Sequence, residues 1–292
     1  MTSSAPRLGA HMSIAGGPAN ALYRGASIDC DAIQMFVGSP NRWSSKALTD
    51  QEVEAFEQAV ALTGIAPIVA HSAYLINLGS PDESLFERSL DLLVDELGRC
   101  ARLGIGDHVL HPGAHMGAGE EAGLERIAAG LRLALERSAG ADVRLLLETT
   151  AGMGTHLGHR FEHLAWLIER VGGDGRLGVC LDTAHVLAAG YDLRSAPVYE
   201  QLWAAFDATI GLERLHCIHL NDSLKALDSR VDRHTWIGQG EVGLEAFALL
   251  VNDARLRHVP MLLETPKGED LHEDIEALAL LRSLIRHTAS DC

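Results

Sequence analysis

The sequence lacks the features that carry a chain into or across a membrane. No apolar run approaches the 18 or so residues that a bilayer-spanning helix requires. The N-terminal residues MTSSAPRLGAHMS contain neither the basic nor the apolar region of a secretory signal peptide. We therefore expect a cytoplasmic protein that makes no contact with a membrane.

Cysteine is scarce, and its spacing is uninformative about metal binding. The chain has five cysteines, an odd number, and no CxxC pair. Neither a disulfide framework nor a thiolate zinc site is indicated. Cys180 and Cys217 lie in apolar runs that are typical of strands, and we expect them to be small core residues.

Net positive charge is also missing. There are 24 Lys and Arg residues against 40 Asp and Glu residues, and the formal net charge is −16. This balance argues against a polyanionic partner that is held by overall attraction. The argument weakens if some carboxylates bind cations, because positive charge would then be concentrated in one cleft.

The length and the hydrophobic pattern predict one large barrel. A prior of roughly 150 residues per domain would give two domains for 292 residues, but a single α/β barrel can run to about 250 residues or more. Eight short apolar runs alternate with stretches of helical periodicity. The predicted strands are residues 8–11, 32–36, 67–72, 108–113, 144–149, 177–185, 215–222 and 260–266. The predicted helices are 50–62, 84–103, 119–138, 161–171, 198–209, 243–252 and 271–285, with 19–25 a short first helix at best.

Strand–helix alternation predicts a parallel sheet, and eight units in this length predict a closed (β/α)₈ TIM barrel. An open, doubly wound sheet is the alternative. We expect a single catalytic domain over residues 1–292, with short disordered ends at 1–6 and 288–292.

A polar, ligand-type side chain closes nearly every predicted strand. Glu148 follows Leu145-Leu146-Leu147, and Glu264 follows Met261-Leu262-Leu263. The other strand-end residues are His11, Gln34, His71, His111, Asp182 (with His185 three residues on) and His219. Barrel enzymes place their chemistry on this face, and a buried carboxylate is costly unless it is paired or bound to metal.

The stretch from residue 215 to residue 243 adds two more ligand types. Asp232 and His234 are two residues apart, so in an extended segment both side chains point the same way. Taken alone, this stretch fits solvated loop residues equally well. With the strand ends it completes nine candidate ligands: His71, His111, Glu148, Asp182, His185, His219, Asp232, His234 and Glu264.

Nine ligands are too many for one ion, since zinc takes about four. Three Zn²⁺ ions with shared carboxylates would use the whole set, and Mn²⁺ or Fe²⁺ would also accept these ligands. Two or more divalent ions in one site are a recurrent device for displacement at phosphorus. We interpret His11 as a supporting or structural residue, and we expect a surface or packing role for His108, His115, His156, His159, His163, His216, His258, His272 and His287.

Three segments resemble the endonuclease IV family of apurinic/apyrimidinic (AP) endonucleases. They are residues 71–79 (HSAYLINLG), residues 178–190 (GVCLDTAHVLAAG), and residues 219–222 (HLND) with 229–234 (SRVDRH). The resemblance extends from residue 8 to about residue 281. It implies a (β/α)₈ barrel with three zinc ions that cleaves DNA 5′ to abasic sites, leaving 3′-hydroxyl and 5′-deoxyribose phosphate ends.

The resemblance also implies how the nine residues divide. His71, His111 and Glu148 would hold the first zinc. Glu148 would bridge to a second, held also by Asp182, His219 and Glu264, and would orient the attacking nucleophile. The third zinc would be held by His185, Asp232 and His234.

The family's DNA-reading loops have counterparts here. Tyr74 and Leu75 follow the third strand, where the family inserts side chains beside the lesion. Asn41 stands where some members carry an inserting arginine, and Arg42 is its neighbour. Gln239 stands where many members have glutamate. We also expect Lys225, Arg230 and Arg233 to lie near the phosphates or the lesion of a double-stranded substrate.

Two other functions use part of this pattern. A sugar isomerase or epimerase on a related barrel needs one metal, for which Glu148, Asp182, His219 and Glu264 suffice. A lesion-binding protein without catalysis would not need a complete ligand set. We favour the AP endonuclease, and we expect it to be a monomer.

Overall fold

The computed structural model describes residues 5–286. Eight parallel strands form a closed barrel, and each pairs with the strands before and after it in the sequence. They are β1 (Arg7–Met12), β2 (Ala32–Phe36), β3 (Ile68–His71), β4 (Asp107–Leu110), β5 (Arg144–Glu148), β6 (Leu177–Asp182), β7 (Leu215–His219) and β8 (Pro260–Leu263). The predicted TIM barrel is confirmed.

Helices surround the barrel. They are α1 (Ala19–Ser27), α2 (Asp50–Thr63), α3 (Glu83–Leu103), α4 (Glu120–Arg137), α5 (Phe161–Arg170), α6 (Thr183–Ala188), α7 (Ala196–Thr209), α8 (Gly243–Asn252) and α9 (His272–Ser283). In the described part of the chain, no helix is long and apolar enough to cross a bilayer.

Local signals explain where two of these helices begin. The Thr49 side chain accepts a hydrogen bond from the Glu52 amide, and the Glu52 carboxylate accepts one from the Thr49 amide, so α2 opens with a capping box. Asp82 caps α3 by accepting from the Leu85 amide at 2.7 Å. Both helices begin within one residue of their predicted starts.

The sequence prediction of a strand over 177–185 is wrong at its end. Strand β6 stops at Asp182 and α6 begins at once, so His185 lies on a helix. The physical reason is Asp182 itself, whose Oδ1 atom accepts a hydrogen bond from the His185 amide and caps the new helix. The first helix is also longer than expected and spans nine residues.

A layer of small and apolar side chains fills the barrel directly beneath the strand-end residues. It consists of Ala32, Val69, Val109, Leu146, Cys180, Cys217 and Leu262. Each member precedes a polar strand-end residue by two positions. Because side chains at i and i+2 of a strand point to the same face, the two sets are successive layers of the barrel interior.

The prediction of disordered ends at 1–6 and 288–292 falls outside the described residues, apart from Ala5 and Pro6.

Candidate metal centre

Barrel closure brings the strand-end side chains of all eight strands to one face. Glu148, Asp182 and His219 are fully buried there, and His71 and His185 are nearly so. His111, Asp232, His234 and Glu264 are partly exposed. All nine candidate ligands therefore lie around one centre.

Glu148 occupies the middle of this centre. Its Oε2 atom lies 3.2 Å from His71 Nε2 and 3.1 Å from His111 Nε2. Its Oε1 atom lies 3.2 Å from His219 Nδ1 and 3.2 Å from His185 Nδ1. One carboxylate thus faces four imidazoles, two through each oxygen.

The electrostatics of Glu148 follow from this position. Burial raises its pKa, but the neighbouring His111 and His219 outweigh burial and hold the pKa well below its usual value. An ionised carboxylate without solvent contact needs cationic partners to offset its desolvation. The site is therefore built to keep a negative charge at its centre.

A second group of ligands meets at His219. Its Nδ1 atom lies 3.2 Å from Glu264 Oε2 and 3.8 Å from Asp182 Oδ2, besides its contact with Glu148. Burial raises the pKa of Glu264, but the neighbouring His219 outweighs burial and lowers this pKa to about 2. The possible ligand atoms of Glu148, Asp182, His219 and Glu264 all lie within 4.8 Å of one another.

A third group lies at the rim. His185 Nε2 is 3.2 Å from Asp232 Oδ2, and His234 Nε2 is 3.3 Å from Asp232 Oδ1. Both ring nitrogens are buried and make no hydrogen bond within the described residues. Buried nitrogens left in this way, beside a carboxylate, fit a bound cation.

Backbone and amide oxygens set the tautomers of three histidines. His71 Nδ1 lies 2.8 Å from the Ser72 carbonyl, and His185 Nδ1 lies 2.8 Å from the Thr149 carbonyl. His219 Nε2 lies 2.8 Å from Gln34 Oε1. Donation to these acceptors turns the other ring nitrogen, with its lone pair, toward a carboxylate. A proton or a metal ion must then lie between nitrogen and oxygen, which is the usual arrangement around metal-binding histidine.

Two residues outside the nine predicted ligands hold them in place. Gln34 Nε2 donates to Glu264 Oε1 at 2.5 Å, so this amide joins Glu264 to His219. Asn221 Nδ2 donates to Asp182 Oδ2 at 2.6 Å, and its Oδ1 accepts from the Glu264 amide. The sequence pattern places Gln34 with the strand-end residues, as an amide within the apolar run of β2, but does not assign it this supporting role.

The loop that carries Asp232 and His234 is anchored by Asp222. The Asp222 carboxylate accepts hydrogen bonds from the amides of Gly238, Gly240 and Val242. A Cβ at Gly240 would lie 2.4 Å from the Ser223 carbonyl oxygen and 2.5 Å from Asp222 Oδ1, so this close approach requires glycine. Residues 222–223 also pair with 234–235 in a short antiparallel ladder.

Several of the remaining histidines behave as expected, with exceptions. His108 packs inside the protein, 3.2 Å from Glu96 Oε2. His11 lies 3.1 Å from Gln34 Nε2 and 3.9 Å from Glu264 Oε1, beside the ligands. Exposed His156 borders a cavity of about 410 Å³ together with His71, His111 and Asp232, which a surface role alone does not anticipate.

Among the predicted DNA-contact residues, Tyr74 lines the opening of the candidate site. The Tyr74 side chain is 68% exposed, and its ring centroid is 5.4 Å from that of Phe36. Tyr74, Phe36 and six of the candidate ligands line a cavity of about 370 Å³. Asn41, Arg42, Lys225 and Arg233 are exposed, whereas Leu75 and Arg230 are half-buried. Trp43 packs under Arg88, whose guanidinium carbon is 4.1 Å from the ring centroid.

The chemistry of the donor set suits hard or borderline divalent ions. Imidazole nitrogens and carboxylate oxygens form three overlapping groups, and Glu148 belongs to two of them. Such a set fits Zn²⁺, Mn²⁺ or Fe²⁺. An array of this kind can bind the oxygens of a phosphate ester and lower the pKa of a water molecule beside it.

Known proteins share this sequence and architecture. Residues 22–284 match the family described as xylose isomerase-like TIM barrel. "Probable endonuclease 4" of Chloroflexus aggregans is 53% identical over 285 residues, which cover 98% of this chain and all of that protein. The crystal structure of endonuclease IV from Thermus thermophilus superposes with a TM-score of 0.85 at 40% identity, covering 96% of this chain and 98% of that one.

A more distant likeness concerns the fold alone. The crystal structure of a D-tagatose 3-epimerase-like protein superposes with a TM-score of 0.70 at 16% identity, covering 96% of this chain and 98% of that one. The barrel is therefore shared with proteins whose names point to sugar chemistry.

Proposed function

The chain belongs to the endonuclease IV family of DNA-cleaving hydrolases, and from this premise we propose that it is a zinc-dependent AP endonuclease of base-excision repair. It would hydrolyse the phosphodiester 5′ to an abasic site in double-stranded DNA, leaving a 3′-hydroxyl and a 5′-deoxyribose phosphate. Water adds to phosphorus, the bond from phosphorus to the 3′ oxygen breaks, and the departing oxygen takes up a proton.

One observation carries the proposal: the buried Glu148 carboxylate is shared among four imidazoles, through both of its oxygens. We propose that His71, His111 and Glu148 hold one ion, that Glu148, Asp182, His219 and Glu264 hold a second, and that His185, Asp232 and His234 hold a third. Bound divalent ions would supply a nucleophile at neutral pH and neutralise charge on the attacked phosphate and departing oxygen.

The residues of the chain have separate tasks in this scheme. Glu148 is the acceptor available to orient the attacking water, because its pKa is held low by its histidine neighbours. Gln34 and Asn221 fix the orientation of Glu264, His219 and Asp182 before substrate arrives. Tyr74 and Phe36 form the apolar wall beside the ligands, where a base-free sugar fits more readily than a stacked nucleotide.

DNA binding must be local in a protein of net charge −16. We propose that Asn41, Arg42, Tyr74, Leu75, Lys225, Arg230 and Arg233 contact the backbone or the lesion. Opening the duplex costs least where a base is already absent, so the same contacts favour an abasic site over intact DNA.

A single-metal sugar isomerase remains the second candidate, because Glu148, Asp182, His219 and Glu264 form one compact group. It leaves the other two groups without a task, including the buried, unbonded nitrogens of His185 and His234. The AP endonuclease accounts for all three groups.

The test is a nicking assay on a duplex with one abasic analogue, with metal content measured on the same sample. Cleavage 5′ to the analogue, with intact duplex uncut, supports the proposal. Sugar epimerisation without nicking, at about one metal ion per chain, would establish the second candidate instead.

A further inference from the structure

Two thiols lie side by side directly beneath the candidate metal centre. Cys180 and Cys217 are register partners on the neighbouring strands β6 and β7. Each precedes a proposed ligand by two residues, Asp182 in one case and His219 in the other, so both side chains point into the barrel. Both are fully buried, and the rest of their layer is aliphatic.

A ring nitrogen of His219 completes a group with these sulfur atoms. The two Sγ atoms and one His219 nitrogen all lie within 4.8 Å of one another. In a tetrahedral site with zinc–sulfur bonds of about 2.3 Å, sulfur ligands stand roughly 3.8 Å apart. The upper bound of 4.8 Å on the separations of these three atoms is about 1 Å above that spacing.

The chemistry of this group differs from that of the centre above it. Two sulfurs and one nitrogen prefer soft, thiophilic ions, whereas the proposed catalytic ligands are all nitrogen and oxygen. We propose that Cys180, Cys217 and His219 form a binding site for a thiophilic metal ion of the Cd²⁺ type within the barrel interior. On binding, both S–H bonds break, two metal–sulfur bonds form, and two protons leave to solvent.

The shared histidine gives this site a consequence. A neutral imidazole has one nitrogen lone pair, and that of His219 is used toward Glu148 and Glu264 in the proposed function. A soft ion on the sulfur side would therefore compete for His219 with the ion held by the carboxylates. This consequence rests on the proposed function, whereas the sulfur site itself does not.

The test is a CdCl₂ titration of the full-length protein under reducing conditions, both as purified and after dialysis against a chelator. The readout is the ultraviolet charge-transfer absorbance of cadmium–sulfur bonds, which requires no DNA. We expect a saturable band, reached at lower CdCl₂ in the chelator-treated sample because competing ions are gone. Absence of the band from both samples would overturn the proposal.

Cysteine variants identify which thiols bind the cadmium ion. Cys180→Ala and Cys217→Ala should each lower the band by about half or more, and the double variant should abolish it, because each removes one of two soft ligands. Cys100→Ala, which removes another fully buried cysteine on α3, is the matched control and should leave the band unchanged. An unchanged band in a folded double variant contradicts the assignment.

Circular dichroism identifies any variant that does not fold. For that case, X-ray absorption at the cadmium edge of the wild-type protein counts sulfur neighbours directly. Two sulfur neighbours support the site, and a shell of oxygen and nitrogen alone overturns it. A protein that shows the band yet fails to nick abasic DNA would refute the proposed function and leave this site standing.

Discussion

The Asp182 carboxylate caps the helix that carries His185: its Oδ1 atom accepts a hydrogen bond of 2.8 Å from the His185 amide. The other oxygen, Oδ2, accepts from Asn221 and lies 3.7 Å from His234 Nε2. A proposed ligand of one ion therefore also positions His185, a proposed ligand of another, and lies near a second, His234. We expect these two ions to bind interdependently.

Metal content is the most direct prediction. Eight of the nine candidate ligands fall into three overlapping groups, and Asp232 lies beside two members of one of them. We therefore expect about three divalent ions per active chain, by the ligand numbers usual for zinc. Extended chelator treatment should abolish cleavage of abasic DNA, and Zn²⁺ should restore it. Elemental analysis of the same sample checks the count, and one ion or fewer per fully active chain would falsify the three-ion scheme.

Replacing the central carboxylate should separate binding from turnover. Glu148→Gln keeps the shape but removes the charge that faces four imidazoles. We expect turnover to fall on the order of 10³-fold or more, which corresponds to about 4 kcal/mol of transition-state stabilisation. Single-turnover cleavage and binding of an uncleavable abasic duplex measure the two effects. Near-normal turnover in this variant would show that a residue other than Glu148 orients the attacking water.

Gln34 should affect the metal affinity of the candidate centre through the ligands that it holds, without contacting DNA. Gln34→Met removes the amide that joins His219 to Glu264 at similar volume. Loss of such a supporting contact typically weakens metal affinity by about 10–100-fold. Competition with a chromophoric chelator measures the change. Met35→Leu is the matched control, since the neighbouring strand position points to the other face; equal affinities in both variants would show that Gln34 only fills space.

Tyr74 should contribute to the discrimination between abasic and intact duplex DNA. Its exposed ring stands at the wall of the candidate site, so Tyr74→Ala should lower the preference for abasic over intact duplex. A substrate with a one-nucleotide gap is already open and should suffer less. Tyr74→Phe keeps the ring and should behave like wild type. If Tyr74→Ala slows cleavage equally on all substrates, the ring is a packing residue.

His163, which lies outside the candidate metal centre, should make the free energy of unfolding depend on pH. Burial, with Arg160 beside it, lowers the pKa of His163 to about 4. Because the unfolded chain titrates near 6.5, it takes up the proton first as the pH falls, so the stabilisation is complete above about 6.5 and is lost as the pH falls toward 4. The loss from this one group is at most about 3 kcal/mol.

Urea unfolding at pH 7.5 and pH 5 measures this contribution. His163→Gln should be less stable than wild type at the higher pH, since it loses the contacts with Gly158 and Arg160, but its stability should change less between the two. The exposed His258→Gln variant is the control and should follow wild type. Parallel pH profiles for wild type and His163→Gln would contradict the assignment.

Local patterns were sufficient to predict the fold and to select residues that the barrel brings to one face. The alternation of apolar runs with helical periodicity depends on near neighbours in the chain, so it predicts eight strand–helix units before any tertiary contact is known. The same logic places Glu148 and Glu264 at strand ends, because each follows three apolar residues. Helix α6 was missed because its cap, Asp182, resembles a strand-end ligand until its hydrogen bond to the His185 amide is seen.

The tertiary structure decided which of these side chains contact one another. Glu148 meets His71 through one oxygen and His219 through the other, although these histidines are 77 and 71 residues away in the chain. Gln34 reaches Glu264 across 230 residues, and Cys180 stands beside Cys217, only because the strands pair in one register. Sequence periodicity determines the direction in which a side chain points, whereas barrel closure and strand register determine which other side chain it meets, and the chemistry of the centre depends on both.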